Sequence, residues 1–286
     1  MKNFFSFLKR KKEDPTKQLK ELLDDYELPS FPASVMKVLE MLRNPESPLN
    51  EISKLIEADP GMHVAVLKTV NSAAYGLPKK ISNIQHAISL LGKARLETII
   101  LPIAVNNSIP KIGLYCLNQR DFWLTCAKRA CLARAIATRL HPTTQAESFT
   151  AGLLQDMAIP ILIHVKEKEY CVTLETWNTT KEASLHKIEQ EIFGFDHQTI
   201  GALMAEKWKF PEHLLNSILY HHINGHVPHA VTAVSHIRYA ANWDEEEEDK
   251  FILNILKHHL NTDEQTSINI LEKAKEEANE FASIFQ

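Results

Sequence analysis

The sequence predicts an all-α fold. Apolar residues recur at the three-to-four spacing of a buried helix face along most of the chain. The 13 prolines and 8 glycines fall mainly between those runs. Strand-like alternation of Val, Ile and Thr is scarce. At 286 residues, 44% hydrophobic and 24% charged, the chain can build one large core or two smaller ones and is too apolar for a disordered segment. A formal net charge of −4 offers no basic field, so no nucleic-acid partner is expected. Cys116, Cys126, Cys131 and Cys171 form no CxxC pair and no zinc spacing, and are expected to be reduced, buried thiols. No uninterrupted apolar run approaches the ~18 residues of a membrane span, so no stable membrane insertion is expected.

The elements follow in order. Residues 1–12 (MKNFFSFLKRKK) join Phe4, Phe5, Phe7 and Leu8 to a basic run. That run is on the wrong side for a cleaved signal, and a frayed terminus is expected rather than a weak membrane-surface anchor. Residues 28–43 open on Pro29, Ser30 and Pro32 and place Val35, Val38, Leu39 and Leu42 on one helix face. Ser47 is expected to cap the next helix, with Pro48 as its first residue and Ile52, Leu55 and Ile56 buried. Asp59-Pro60 repeats that signal before a stripe of His63, Val66, Leu67 and Val70. The run NSAAYG (residues 71–76) then reads as a helix end, where Asn71 and Ser72 can satisfy open backbone groups and Tyr75 can fill a pocket. Asn71, Tyr75 and Lys79-Lys80 are the alternative, ligand-binding reading of the same loop. Ser82 or Asn83 caps a fourth helix that stops at Gly92. A further helix runs over 93–105, with a kink expected at Pro102.

Residues 106–118 form a seam. Beyond it lie helices over 122–140, with small Ala and Cys on one face, and over 145–164, bent near Ala158 to Pro160. Others are expected over 181–193, from 197 (capped by Asp196) to Trp208, over 212–222 and over 230–242. The acidic run 244–249 (DEEEED) reads as a solvated linker before two C-terminal helices.

Two stretches carry a family resemblance. LPSFPASVMKVLEML, followed by IEADPGMHVAVLKTVNSAAYGLPKKISNIQHAISLLG, resembles the HDOD domain, a bacterial output module related to the HD hydrolases. Asp59, Pro60, Asn71, Ser72, Tyr75 and Gly76 are its motif residues here. AGLLQDMAIPIL (residues 151–162) resembles the central HD helix, in which AGLLHD is the family's run. The resemblance covers roughly residues 19–242. It implies a multi-helical HDOD/HD-like fold: a basic, apolar tail (1–18), an HDOD domain (19–242) and an acidic linker with extra helices (243–286). The domain divides into an N-terminal helical half (19–110) and a degenerate HD-like half (118–242). It also implies a cytoplasmic, bacterial signalling role.

An active HD site needs a His, an adjacent His-Asp and a distal Asp, because imidazoles and carboxylates hold the ions that activate water. By the resemblance, those places hold Thr125, Gln155 with Asp156, and Tyr239, leaving Asp156 as the one core ligand kept. His197 and the pair His221-His222 remain as auxiliary positions. An acid inside an apolar run, like Asp156, must find a cation or donors. The density of His213, His221, His222, His226, His229 and His236 reads as partly buried tips and loop residues, with His221 and His222 on different sides of one helix.

The expectation is therefore a non-catalytic regulatory protein. Its degenerate pocket of Thr125, Gln155, Asp156, His197, His221, His222 and Tyr239 would bind a signalling protein partner or a small nucleotide, with no metal and no cofactor. The alternative is a metal-dependent nucleotide or cyclic-dinucleotide phosphohydrolase with a divalent ion at Asp156, His197 and His222.

Overall fold

A computed structural model of the chain describes residues 14–72, 77, 79–111, 116–180, 183–239 and 244–285, and among them every regular element is helical. The basic N-terminal stretch, Tyr75 and Gly76 lie outside the described residues.

Five helices follow a short leading one, α1 (Pro15–Leu22), and build the N-terminal half: α2 (Ala33–Arg43), α3 (Leu49–Glu57), α4 (Pro60–Val70), α5 (Ile84–Leu91) and α6 (Lys93–Ser108). Asp59 caps α4 by accepting from Met62 N at 3.0 Å. Asn83 caps α5 by accepting from His86 N at 2.7 Å. Gly92 separates α5 from α6 at φ +80°, a conformation that favours glycine. Pro48, not Ser47, is the N-cap of α3, and no side chain caps that helix. The fixed φ of Pro48 already directs the chain into the first turn. Asn71 ties the end of α4 to the returning chain: its Nδ2 donates to Leu67 O and Ile81 O, both at 2.8 Å, while its Oδ1 accepts from Ile81 N at 2.6 Å. The Ser72 hydroxyl donates to Thr69 O at 2.8 Å. The motif residues Asp59, Pro60, Asn71 and Ser72 thus form helix ends in this half.

The second half is organised on α7 (Gln119–Leu140), which α8 (Gln145–Leu154) packs along. Their approach is close because Gly152 carries no side chain: a Cβ there would lie 3.1 Å from Arg129 O and 3.2 Å from Ala130 Cα. Beyond α8 come α9 (Ile159–Val165), α10 (Glu167–Thr179), α11 (Leu185–Phe193), α12 (His197–Lys207), α13 (Glu212–Tyr220) and α14 (His229–Val234). The helix expected across 145–164 is broken: residues 155–158 form a turn, so Gln155 and Asp156 sit between α8 and α9. The last helix of this half is also shorter than the expected 230–242. It ends at Val234, and Tyr239 is reached on a non-helical segment.

The acidic run is not a linker. Asp244 caps α15 (Glu245–Leu260), and Glu245 to Glu248 form its first turn, where the helix dipole favours negative charge. The final helix, α16 (Glu264–Ala282), lies against α7, and Trp123 stacks on Phe285 at 4.3 Å. One contiguous apolar core runs from Leu19 to Phe285 through both halves.

Two further expectations are corrected. Cys116 and Cys171, 55 residues apart, are disulfide-bonded, because the fold brings the end of the seam onto α10; Cys126 and Cys131 are free and buried. Counting only uninterrupted apolar runs also missed Pro142–Val165. An 18-residue window within it reaches a mean hydropathy of 1.3 with 89% of that window buried, as in a core segment.

Candidate functional site

Most of the residues expected to line the pocket converge in the interior of the second half. Asp156 hangs from the α8–α9 turn, 3% exposed. Its Oδ2 accepts short hydrogen bonds from the Arg129 guanidinium and the Tyr239 hydroxyl. Arg129 is anchored in turn. Its Nε donates to Ile237 O at 3.2 Å, its Nη2 makes a second, short bond to the same carbonyl, and its guanidinium lies 5.0 Å from the Tyr239 ring centroid. Burial opposes a charged carboxylate, but Arg129 holds Asp156 well below the usual carboxylate range, and the nearby His197 adds to the effect. Burial and the neighbouring Asp156 push the Tyr239 phenol well up, so it stays protonated and donates.

The three histidines form the other side of the site. His197 opens α12 behind its cap Asp196, which accepts from Thr199 N at 2.8 Å. The His197 backbone N–H donates to Glu189 Oε2 at 3.0 Å, and the same oxygen takes Nδ1–H at 2.6 Å. Glu189 Oε1 accepts from the Tyr170 hydroxyl. This fixes the His197 ring with Nε2 facing inward, 3.1 Å from His221 Nε2 and 3.3 Å from His222 Nε2. His221 and His222 are thus on one side, contrary to the expectation from helical spacing, because α13 ends at Tyr220 and the pair lies in the turn beyond it.

Hydrogen-bond direction settles the tautomers. His221 Nδ1 lies 2.7 Å from Ile218 O, an acceptor, so that nitrogen carries the proton. The Ser235 hydroxyl donates to Thr232 O at 2.8 Å, so His222 Nδ1, 3.2 Å from Ser235 Oγ, is the donor there. Both Nε2 atoms therefore present lone pairs to His197 Nε2. Burial lowers the pKa of His221, and burial with His221 and His197 lowers that of His222 far more, so both are neutral. Burial also pulls His197 down, but Glu189 and then Asp156 outweigh it and raise its pKa to about 9. One cation among three inward nitrogens resolves the conflict, and near neutral pH the second proton on His197 supplies it. Arg129 and His197 then face Asp156 and Glu189, with buried Asp196 a further acid at the α12 cap.

Of the sequence-predicted residues, Asp156, His197, His221, His222 and Tyr239 are brought together. Gln155 is fully buried beside them, with neither amide atom hydrogen-bonded among the described residues. Thr125 is buried on α7, one turn before Arg129. Sequence reasoning missed Arg129, Glu189, Tyr170 and His186, whose ring stacks on His222 at 4.6 Å. The signal for Arg129 was present. It is a charged residue on the small, apolar face of α7, and the rule that demanded a cation for Asp156 demands an anion for Arg129.

The donor set does not fit a two-ion phosphoesterase centre. The hydroxyl of Thr125, the amide of Gln155 and the protonated phenol of Tyr239 are poor ligands. The Asp156 oxygen turned away from the histidines is already taken by Arg129 and Tyr239. One ion does fit. The ligand nitrogens of His197, His221 and His222 lie within 4.8 Å of one another. Asp156 Oδ1, without a hydrogen-bond partner among the described residues, is 3.4 Å from His221 Nε2 and 3.6 Å from His197 Nε2.

The architecture is an all-helical body among the described residues, and similarity narrows the class. The model of the HDOD domain matches residues 28–224. The chain belongs to the HDOD family. It is 23% identical over 207 residues to an uncharacterized protein of Treponema pallidum (strain Nichols), covering 72% of this chain and 39% of that one, so it spans about two fifths of that relative's length. Among solved structures it is similar to a "Putative phosphohydrolase" of Shewanella amazonensis SB2B (TM-score 0.71, 23% identity, 94% of this chain and 98% of that one). An HDOD domain protein of Geobacter sulfurreducens gives a TM-score of 0.68 at 20% identity, over 95% and 98% of the two chains. A "Putative signal transduction protein" of Marinobacter aquaeolei VT8 gives 0.69 at 16%, over 99% and 65%. At these identities the likeness shows the fold.

Proposed function

We propose that this HDOD chain is a non-catalytic signal-transduction module of the cytoplasm that acts by binding, through a protein partner or a small ligand, rather than by hydrolysis. The observation that carries this reading is the Arg129–Asp156–Tyr239 constellation. A guanidinium gives the retained acid the charge compensation that a divalent cation gives it in a hydrolase, and it is a cation that cannot activate water. In a reducing cytoplasm Cys116 and Cys171 would stand as neighbouring thiols. The test is a phosphodiester and nucleotide hydrolysis assay with added Mn²⁺ or Mg²⁺, run beside a pulldown. Turnover lost in Asp156→Asn, with no protein captured, would overturn the proposal.

A second reading rests on the three converging Nε2 atoms. One divalent ion held by His197, His221 and His222 would replace the His197 proton and bring Lewis acidity to the pocket, as in the alternative phosphohydrolase. Metal analysis of protein purified without chelator decides it. One ion per chain, absent in His197→Ala, supports the ion, and no metal in either protein removes it.

A further inference from the structure

A cavity of about 860 Å³ lies away from the histidines, walled by α6, α7, the start of α8 and α16. Four cations line it from three helices: Arg95 on α6, Arg134 and Arg139 on α7, and Lys273 on α16. Only two acids, Glu276 and Glu277, line it with them. Arg134 is committed, paired with Glu277 at 2.6 Å and resting 5.0 Å from the Phe149 ring centroid. Lys273 reaches Glu277 only at 4.0 Å with 76% of its side chain exposed. The guanidinium groups of Arg95 and Arg139 have no hydrogen-bond or ion-pair partner among the described residues, although both border the cavity.

Like charges gathered around a concavity focus a positive potential and repel one another until an anion joins them. Planar guanidinium forks match phosphate oxygens in pairs, which ammonium groups do not. The Thr98 and Thr138 hydroxyls and the Asn269 amide add neutral donors at the wall. The partly exposed Leu77, Ala135 and Ala146 give the lining an apolar side. The volume falls within the ~300–1,000 Å³ of small-molecule sites. A ligand complementary to this lining carries more than one phosphate charge at one end and a flat, weakly polar body at the other.

We infer that the cavity between α6, α7 and α16 is a nucleoside polyphosphate site, with Arg95 of α6 and Arg139 of α7 gripping the phosphates and the apolar side formed by Leu77, Ala135 and Ala146 receiving the base. It does not depend on what the histidine cluster does. α16 lies outside the matched residues 28–224, so an occupant would join the C-terminal helix to the HDOD body.

The test is isothermal titration of the full chain with ATP, GTP, pyrophosphate and adenosine. Saturable binding of a triphosphate is expected, with pyrophosphate weaker and adenosine weakest. Each of Arg95→Gln and Arg139→Gln should weaken it roughly tenfold or more, since each removes charge-assisted hydrogen bonds. Both arginines are exposed, so the variants should keep the parental melting temperature. No saturable binding of either triphosphate up to millimolar concentration overturns the inference. So does binding that is unchanged in the double variant, or adenosine binding as tightly as ATP.

Discussion

Replacing Arg129 with Met removes the one permanent cation beside Asp156 while keeping the length of the side chain. Both partners are buried, Arg129 at 1% and Asp156 at 3% exposure, so water cannot take over the lost charge. Breaking a buried pair from one side costs about 3–5 kcal/mol, because the orphaned charge stays desolvated. Two further losses fall on the same variant: the donors to Ile237 O and the stacking on Tyr239. At about 2 °C per kcal/mol for a chain of this size, the melting temperature should fall by roughly 6–10 °C. Asp156→Asn should cost a comparable amount, since it leaves the buried Arg129 guanidinium without its anion even though the amide oxygen can still accept from it. The double variant should regain part of the single Arg129→Met loss, because no buried anion is left unpaired. A double-mutant cycle by thermal and urea unfolding measures this coupling. A cost below ~1 kcal/mol for Arg129→Met, or strictly additive losses, would refute the claim that the pair is an interdependent charge unit.

Other outcomes follow from the same geometry. Folding raises the pKa of His197 from an ordinary 6.5 to about 9, so its contribution is complete below pH ~6.5 and lost as pH rises through about 9. Urea unfolding at pH 7 and pH 9.5 should show this decline, on the order of 3 kcal/mol at most, and His197→Gln should flatten it. Gly152→Ala should destabilise by about 1–3 kcal/mol, read as a drop in urea midpoint, because the neighbour its Cβ meets is the backbone of α7 rather than a movable side chain. Cys131 is pushed up to about 12 by burial, and Cys126 is raised by burial as well, so a thiol reagent should leave the folded protein unmodified. After unfolding without reductant it should titrate the two free cysteines, and four after reduction.

The helical architecture was legible because it depends on local rules. Asp59 and Asn83 cap where short polar side chains precede apolar periodicity, and Gly92 turns where φ must be positive. The expected acid in the apolar run, Asp156, is buried as its setting required. The errors lie where distant contacts override local pattern. Apolar periodicity continued through Gln155 to Ala158, yet the chain turns there and delivers Asp156 to Arg129, 27 residues earlier. Helical spacing separated His221 from His222, and the end of α13 at Tyr220 reunites them. Glu189 was invisible as a partner for His197, because the left-handed turn at Gly194 folds α11 back beside α12. Nothing in the spacing of Cys116 and Cys171 marked them as neighbours, since their approach is made by the packing of α10.

The 22 residues of α7 extend for about 33 Å as a single helix. Arg129 and Arg139 are ten positions apart on it, roughly 15 Å along the axis. Gly152 lets α8 lie close against its middle. One helix thus borders both the buried acid and the arginine-lined recess, and the C-terminal helix packs along it, so the two regions share a single support.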